Sequence, residues 1–253
     1  MSQSPQIISV LISSSTDYCL CVTNDWEPFF EHLVKDPSKY PVHISIPFIA
    51  ATSSFVKITS QLRISKETAI ILDDMRFLFQ ATMHRLDGDV PELEKAKIAS
   101  TSIWIQRRIS DMPDGSQDPL LVQDFIYKSC RIAALVYCNA IVSRIPLSKA
   151  CSLTDLSQLW STMWQVKLSR WKQIPGIFLF IMLATAPAAQ HTPHSRILKI
   201  MMKATALSMM LDSWEVVDKS MYTYVNLQRW LRRRSVVALG SSPPKALESL
   251  HFY

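Results

Sequence analysis

Glycine is scarce in this chain, with only four among 253 residues: Gly88, Gly115, Gly176 and Gly240. They are too far apart to form a glycine-rich phosphate loop, so the dinucleotide and P-loop patterns are excluded. The Gly-x-Ser-x-Gly turn of serine hydrolases is also absent. Few glycines beside plentiful leucine, isoleucine, alanine and methionine favour packed helices over a turn-rich β fold.

Cysteine is also sparse, and its spacing forms no framework. The five cysteines are odd in number, and Cys130 and Cys138 fall within an apolar helical pattern. Cys19 and Cys21 stand one residue apart, which is not a zinc-binding spacing, and no second pair completes a site. The short apolar run at residues 7–12 lacks preceding basic residues and is too short for a signal-peptide core. These features predict no metal and no disulfides, and an intracellular location.

Charged residues make up 19% of the chain and hydrophobic residues 48%, which is a globular composition. The net charge of +6 is unevenly placed. From Met163 to Arg234 there are 11 basic and 3 acidic side chains, a local balance of +8. Such a field attracts nucleic acid, anionic membranes or acidic proteins, and charge alone does not choose among them.

The longest stretch without charge runs from Ile174 to Ala189. A helix that is apolar on every face must be buried in a protein core or in a bilayer. Its sixteen residues fall short of the roughly 20 that a membrane-spanning helix needs. Pro175 is placed to begin a helix and Pro187 to end it. The pattern therefore predicts a central buried helix that includes Pro175, Gly176, Phe178 and Phe180, with a membrane anchor as an alternative.

The remaining patterns predict an all-α protein with a single domain of about seven helices. Four prolines between residues 28 and 47 exclude a long helix, so residues 1–65 are expected to form an irregular N-terminal arm, with a short strand at 38–49 as an alternative. Residues 66–234 show helical periodicity and form the predicted domain. Within it, Ser152 and Asp155 resemble a capping box, and the helix that follows is expected to carry Trp164, Leu168 and Trp171 inward. Its last two helices are expected at about 195–211 and 214–234, and residues 235–253 form a loosely held tail.

Two sets of side chains are candidate metal sites. Asp73 and Asp74 are similar to the aspartate-rich motif of terpene synthases, in which carboxylates hold magnesium. The required third acid is missing, which favours an exposed helix face with an Asp–Arg contact. His191 and His194 stand in a proline-containing loop without further ligands, which favours two exposed histidines. No catalytic residue and no cofactor is predicted, and a metal-dependent enzyme of secondary metabolism remains an alternative.

A basic cluster stands at the predicted end of the last helix. Arg229, Arg232, Arg233 and Arg234 could form a nuclear-import or anion-binding patch. They could equally be cations that a helix C-terminus favours. The methionine pairs 201–202 and 209–210 are expected to fill the core, with an adaptable partner surface as the alternative.

Three segments, taken in order, resemble the fungal-specific transcription factor domain, which is the regulatory region of fungal zinc binuclear cluster activators. KSCRIAALVYCNAI (128–141) is similar to that domain's helix with an Arg-x-Ala-Ala core and an aliphatic–Tyr ending. LSRWKQIPGIFLFIMLATAPAAQ (168–190) is similar to its Pro-Gly segment and buried helix. MMLDSWEVVDKSMYTYVNLQRWL (209–231) is similar to its closing Trp-Glu helix. The resemblance covers roughly residues 66–234.

The resemblance implies a non-enzymatic transcriptional regulator that acts through protein contacts. Its expected partner is a full-length transcription factor or a second copy of the chain. Its expected location is the nucleus, with the cytoplasm as an alternative. Its expected target is a secondary-metabolite gene cluster. Two features depart from the family. The tryptophan that often follows the Pro-Gly is missing, and so is the six-cysteine zinc cluster. Zinc-mediated DNA binding is therefore not expected from this sequence.

Overall fold

All regular structure among the described residues is helical, which confirms the all-α class. The computed structural model describes Cys21, Pro37 and residues 41–50, 53–83, 92–113 and 118–240, without the side chains of 92–95 and 233–240. The helices are α1 (Thr59–Leu62), α2 (Lys66–Met83), α3 (Glu92–Asp111), α4 (Phe125–Ser143), α5 (Leu147–Ala150), α6 (Leu153–Trp164), α7 (Leu168–Trp171), α8 (Pro175–Ala189) and α9 (Ser195–Gly240), with 3-10 turns at Val42–Ile44 and Phe55–Ile58.

Helix α9 is broken at Ser213, whose backbone is extended (φ −162°, ψ 102°). The two arms of α9 correspond to the two last helices that the sequence predicts, and the break falls in the expected place. The predicted end at Arg234 is wrong, since the helix continues to Gly240. Residues 235–239 contain neither proline nor glycine, so nothing local stops the helix before that point.

Helix α6 begins where the sequence indicates and ends earlier than expected. The Ser152 hydroxyl accepts the Asp155 backbone N–H at 3.0 Å, and the Asp155 carboxylate accepts the Ser152 N–H, also at 3.0 Å. This reciprocal capping box fixes the start of the helix. The expectation that one continuous helix carries Trp164 and Leu168 inward is wrong, because residues 165–167 interrupt it and both side chains are exposed.

Helix α8 lies at the centre of the molecule, as its composition predicts. Pro175 occupies its first turn, and nearly every one of its side chains is buried. It packs against α4, α5, α6, α9 and the 3-10 turn at 42–44. Pro187 lies inside the last turn instead of ending the helix. Among the described residues, one helix, α4, is long and apolar enough to cross a membrane, and 56% of it is buried inside the structure.

The end of the N-terminal arm belongs to the core. Residues 41–50 contain a 3-10 turn and no strand, so the strand alternative is wrong for this stretch. Ile44, Ile46, Phe48 and Ile49 are buried in the same core as the helices. The Phe48 ring stacks on Phe79 at 4.7 Å between centroids. Residues 41–50 of the arm are therefore inserted into the core rather than laid on its surface.

Candidate functional site

The three segments that carry the family resemblance meet at α8. Tyr137 of α4 donates a hydrogen bond from its hydroxyl to the Phe180 carbonyl at 3.1 Å, and its ring stacks on that of Phe180 at 5.1 Å. Tyr224 of α9 donates to the Leu183 carbonyl at 2.9 Å. Burial raises the pKa of Tyr137 well above its usual value, so its hydroxyl remains a donor. The contacts join the segments into one core.

The start of α8 is held by close contacts with two neighbouring segments. A Cβ added at Gly176 would lie 2.5 Å from the Ile44 carbonyl oxygen and closer still to that of Ser45. Only glycine lets these backbones approach so closely. Trp171 stacks on Phe178 at 4.8 Å, and its indole N–H donates to a backbone carbonyl. Pro175, Gly176, Phe178 and Phe180 are thus structural residues of the buried centre.

Asp73 and Asp74 face different partners. The Asp73 carboxylate accepts the backbone N–H groups of Phe55 and Val56 at 2.8 and 3.1 Å, which caps the 3-10 turn at Phe55–Ile58. Asp74 pairs with Arg108 at 3.1 Å. Burial raises the pKa of Asp74; the Arg108 charge opposes this rise and the Asp73 charge adds to it. The expected Asp–Arg contact is present, but the two carboxylates are partly enclosed and engaged by protein donors.

The histidine loop is less open than expected. His191 is exposed, whereas His194 is half-buried, and its ring lies 4.5 Å from that of Trp160. Cys21 is buried, and Cys19 lies outside the described residues. Within the part of the chain that the structure describes, no group of three or more histidine, cysteine or acidic residues could hold a metal.

The arginine cluster lies within α9 and not at its end. Arg229 and Arg232 are half-buried, and the side chains of Arg233 and Arg234 lie outside the described residues. The last turn of α9 contains no basic residue. The alternative that these arginines are cations placed at the helix C-terminus is therefore wrong. Beside them, the Arg144 guanidinium lies 3.5 Å from the centre of the Trp230 ring.

A surface cleft of about 330 Å³ lies between the start of α4 and the turn that links α6 to α7. Its Arg170 donates to the carbonyls of Leu62 and Arg63 at 2.6 and 2.7 Å. The N-terminus of α4 is capped by the Asp124 carboxylate, which accepts the Tyr127 N–H at 2.9 Å. Arg170 and the N-terminus of α4 are therefore both engaged within the protein, whereas Lys167, which also lines the cleft, is exposed.

The first arm of α9 exposes an apolar stripe that the sequence analysis missed. Ile197, Ile200, Ala204, Leu207 and Leu211 are all exposed, and we call this set the apolar seam. Its spacing of three and four residues in alternation is that of a heptad seam. That spacing is legible in the sequence, but which of the helix's apolar faces is buried depends on tertiary packing. The methionine pairs lie elsewhere on this arm, in or against the core, as expected.

Comparison of the chain with protein-family models, curated proteins and solved structures gives no match. The fold and the positions described above define an all-α protein with a central buried helix and an exposed apolar seam.

Proposed function

We propose that this protein is a transcriptional regulator that acts through protein contacts, with a regulatory domain of the fungal transcription factor type. The observation that carries the proposal is the meeting of the three resembling segments at α8. Tyr137 and Tyr224, which belong to the first and third segments, both donate hydrogen bonds to the main chain of the second. Segments that separately resemble the family in sequence thus form one joint core.

The placement of the aspartates supports protein contact over catalysis. The enzyme alternative needs Asp73 and Asp74 to present their oxygens together to magnesium. Instead, Asp73 caps one backbone turn and Asp74 pairs with Arg108. Redirecting them would cost the structure a cap and an ion pair. Exposed apolar side chains on α9 provide surface for a protein partner instead.

The narrower form of the proposal is a nuclear protein that controls a secondary-metabolite gene cluster. Arg229, Arg232, Arg233 and Arg234 supply the candidate import patch. The partner would be a full-length transcription factor, which would supply the zinc-mediated DNA contacts that are not expected from this sequence.

The test combines localisation with partner identification in a filamentous fungus. We expect a fluorescent fusion of the whole chain to be nuclear and to co-purify with transcription proteins. Replacing Arg232, Arg233 and Arg234 by alanine should shift the fusion to the cytosol. A matched variant, Lys57→Ala/Lys66→Ala/Lys149→Ala, removes the same charge from exposed positions outside α9 and should remain nuclear. A cytosolic wild-type fusion that captures no transcription protein would refute the proposal.

A further inference from the structure

The first arm of α9 has two apolar faces, and within the part of the chain that the structure describes only one of them packs against the domain. Its inner face is buried against the domain through Leu198, Met202, Ala206 and Met209. The apolar seam lies on the opposite side, within a sector of about 80° at 100° per residue. Ile197, Ile200, Leu207 and Leu211 are 48%, 58%, 60% and 83% exposed. Single exposed apolar residues are ordinary, but a continuous row along one helix marks an interaction site.

The basic side chains beside the seam lie on one flank, and the exposed acid that follows the seam, Asp212, is bound to His43 at 2.9 Å. Arg196 and Lys203 are exposed and Lys199 is half-buried, and all three follow the same edge. The segment from Ser195 to Leu211 contains no acidic residue. The other edge carries the neutral residues Met201, Thr205 and Ser208. In heptad terms, Arg196 and Lys203 occupy positions that pair with charges on a partner helix.

A second copy of the chain is a poor match for this seam. Antiparallel packing would bring the edges of Arg196 and Lys203 together, and like charges repel. Parallel packing would set them against Met201 and Ser208, which offer no opposite charge. A membrane surface is also a poor match. Helices that lie on lipid present a broad apolar face, whereas the seam is as narrow as a helix–helix contact.

We propose that the apolar seam binds an amphipathic helix of another protein, whose apolar stripe packs on Ile200 and Leu207 and whose flanking acidic residues face Arg196, Lys199 and Lys203. Ala204, at the centre of the seam, leaves room for the partner helix to approach closely. This is coiled-coil-type pairing of two helices, with charge complementarity that sets the partner's identity. The inference rests on the proposed function only for its claim of a protein partner, and not on nuclear location or transcription.

The test uses the purified full chain and a fluorescent designed helix of about three heptads. The probe has leucine at the seam positions and glutamate on both flanks, and a control probe has lysine in place of every glutamate. We expect fluorescence anisotropy to show about tenfold or tighter binding of the acidic probe, weakening as salt is raised. Lys203→Glu should reduce this preference. Equal binding of the two probes, or binding of neither, would overturn the proposal.

Matched variants distinguish binding at the apolar seam from nonspecific hydrophobic binding. Ile200→Ser should weaken binding of the acidic probe about tenfold or more, because it removes a buried anchor. Ile103→Ser is the control, since Ile103 is a 48% exposed isoleucine on a different helix, α3, and its loss should leave binding unchanged. Circular dichroism spectra of both variants should match the wild type. Equal losses in the two variants would count against the seam.

Two further measurements test the other possible occupants of the seam, a second copy of the chain and a lipid surface. Sedimentation velocity should show a monomer, and co-sedimentation with phosphatidylserine vesicles should be unaffected by Ile200→Ser. A dimer or vesicle binding that Ile200→Ser abolishes would assign the seam to a second copy or to lipid and overturn the proposal. The outcomes are distinguishable from failure of the proposed function, because a cytosolic fusion would leave the binding of the acidic probe unchanged.

Discussion

Tyr137 and Tyr224 lie on different helices and donate hydrogen bonds to carbonyls three residues apart on α8. The hydroxyl of Tyr137 lies 3.1 Å from the Phe180 oxygen, and that of Tyr224 lies 2.9 Å from the Leu183 oxygen. Tyr224 also accepts a hydrogen bond from the Gln228 amide at 2.8 Å. The two tyrosines fix α4 and α9 to one turn of an otherwise apolar helix, in a buried setting where a donor needs a partner.

Removing the two hydroxyls should have unequal effects. Tyr137→Phe loses one neutral hydrogen bond and should lower the free energy of unfolding by about 1 kcal/mol. Tyr224→Phe should cost about 1 to 3 kcal/mol, because it also removes the acceptor of the buried Gln228 amide. Adding Gln228→Leu to Tyr224→Phe should recover part of the loss. Urea denaturation measures all three, and equal costs for the single variants would contradict the predicted role of Gln228.

Adding a single methyl group at Gly176 should lower the free energy of unfolding. In an unconstrained helix, glycine to alanine stabilises by about 1 kcal/mol. Gly176→Ala should instead destabilise by about 1 to 3 kcal/mol, because its Cβ meets the backbone carbonyls of Ile44 and Ser45, which have little freedom to move. Ser208→Ala, at an exposed position of α9, is the control and should change stability by less than about 0.5 kcal/mol. A stabilised Gly176→Ala variant would show that the arm does not pack closely on α8.

The neighbouring aspartates should respond differently to substitution. Asp73→Ala should cost about 1 to 2 kcal/mol, as for other lost caps, because two backbone N–H groups lose their acceptor. Asp74→Asn should cost less than this at pH 7. Burial raises the pKa of Asp74 in the folded state, so its ionisation opposes folding, and the stability linked to it is lost as pH rises through that pKa. Denaturation at pH 7 compares the variants, and a larger loss for Asp74→Asn would be the contrary result.

This prediction also affects any test of the magnesium-dependent alternative. Loss of turnover in Asp73→Ala would not identify a metal ligand, since the same variant loses a structural cap. Direct measurement of magnesium binding by calorimetry, on a protein shown to be folded, is the appropriate test. A stoichiometric site abolished by Asp74→Asn with stability unchanged would favour the enzyme over the regulator.

The buried thiols should make the protein sensitive to alkali. Burial raises the pKa of Cys138 to about 12 and that of Cys151 to about 12, from an ordinary value of 9.0. Between about pH 9 and 12 the unfolded chain has released these protons while the folded chain keeps them, so the free energy of unfolding falls as pH rises. Cys138→Ala should make this fall shallower. Denaturation of the wild type and the variant from pH 7 to 11 checks this prediction. An unchanged slope of the free energy of unfolding against pH would show that Cys138 does not contribute.

The sequence predicts helices and their starts well where the signal is local. The Ser152–Asp155 capping box and the break near Ser213 depend on neighbouring residues, and both are found where expected. The sequence does not predict how the end of the N-terminal arm packs. Ile44 and Phe48 are far from Gly176 along the chain, and only the three-dimensional packing shows that residues 41–50 enter the core beside α8.

The two apolar rows of α9 also show what the sequence predicts and what only the packing decides. The three-and-four spacing from Ile197 to Leu211 is written in the sequence, but so is the apolar row that includes Leu198, Met202 and Met209. Local periodicity makes both rows helical faces and does not say which one the domain covers.

Composition and helical periodicity predicted the all-α class, and the absence of charge from Ile174 to Ala189 predicted a buried helix, because a helix apolar on all sides has no face to offer water. Tertiary structure alone decided that Asp73 and Asp74 serve a cap and an ion pair, that residues 41–50 enter the core and that the apolar seam faces outward. These outcomes depend on which distant segments come into contact, and local propensity does not encode that choice.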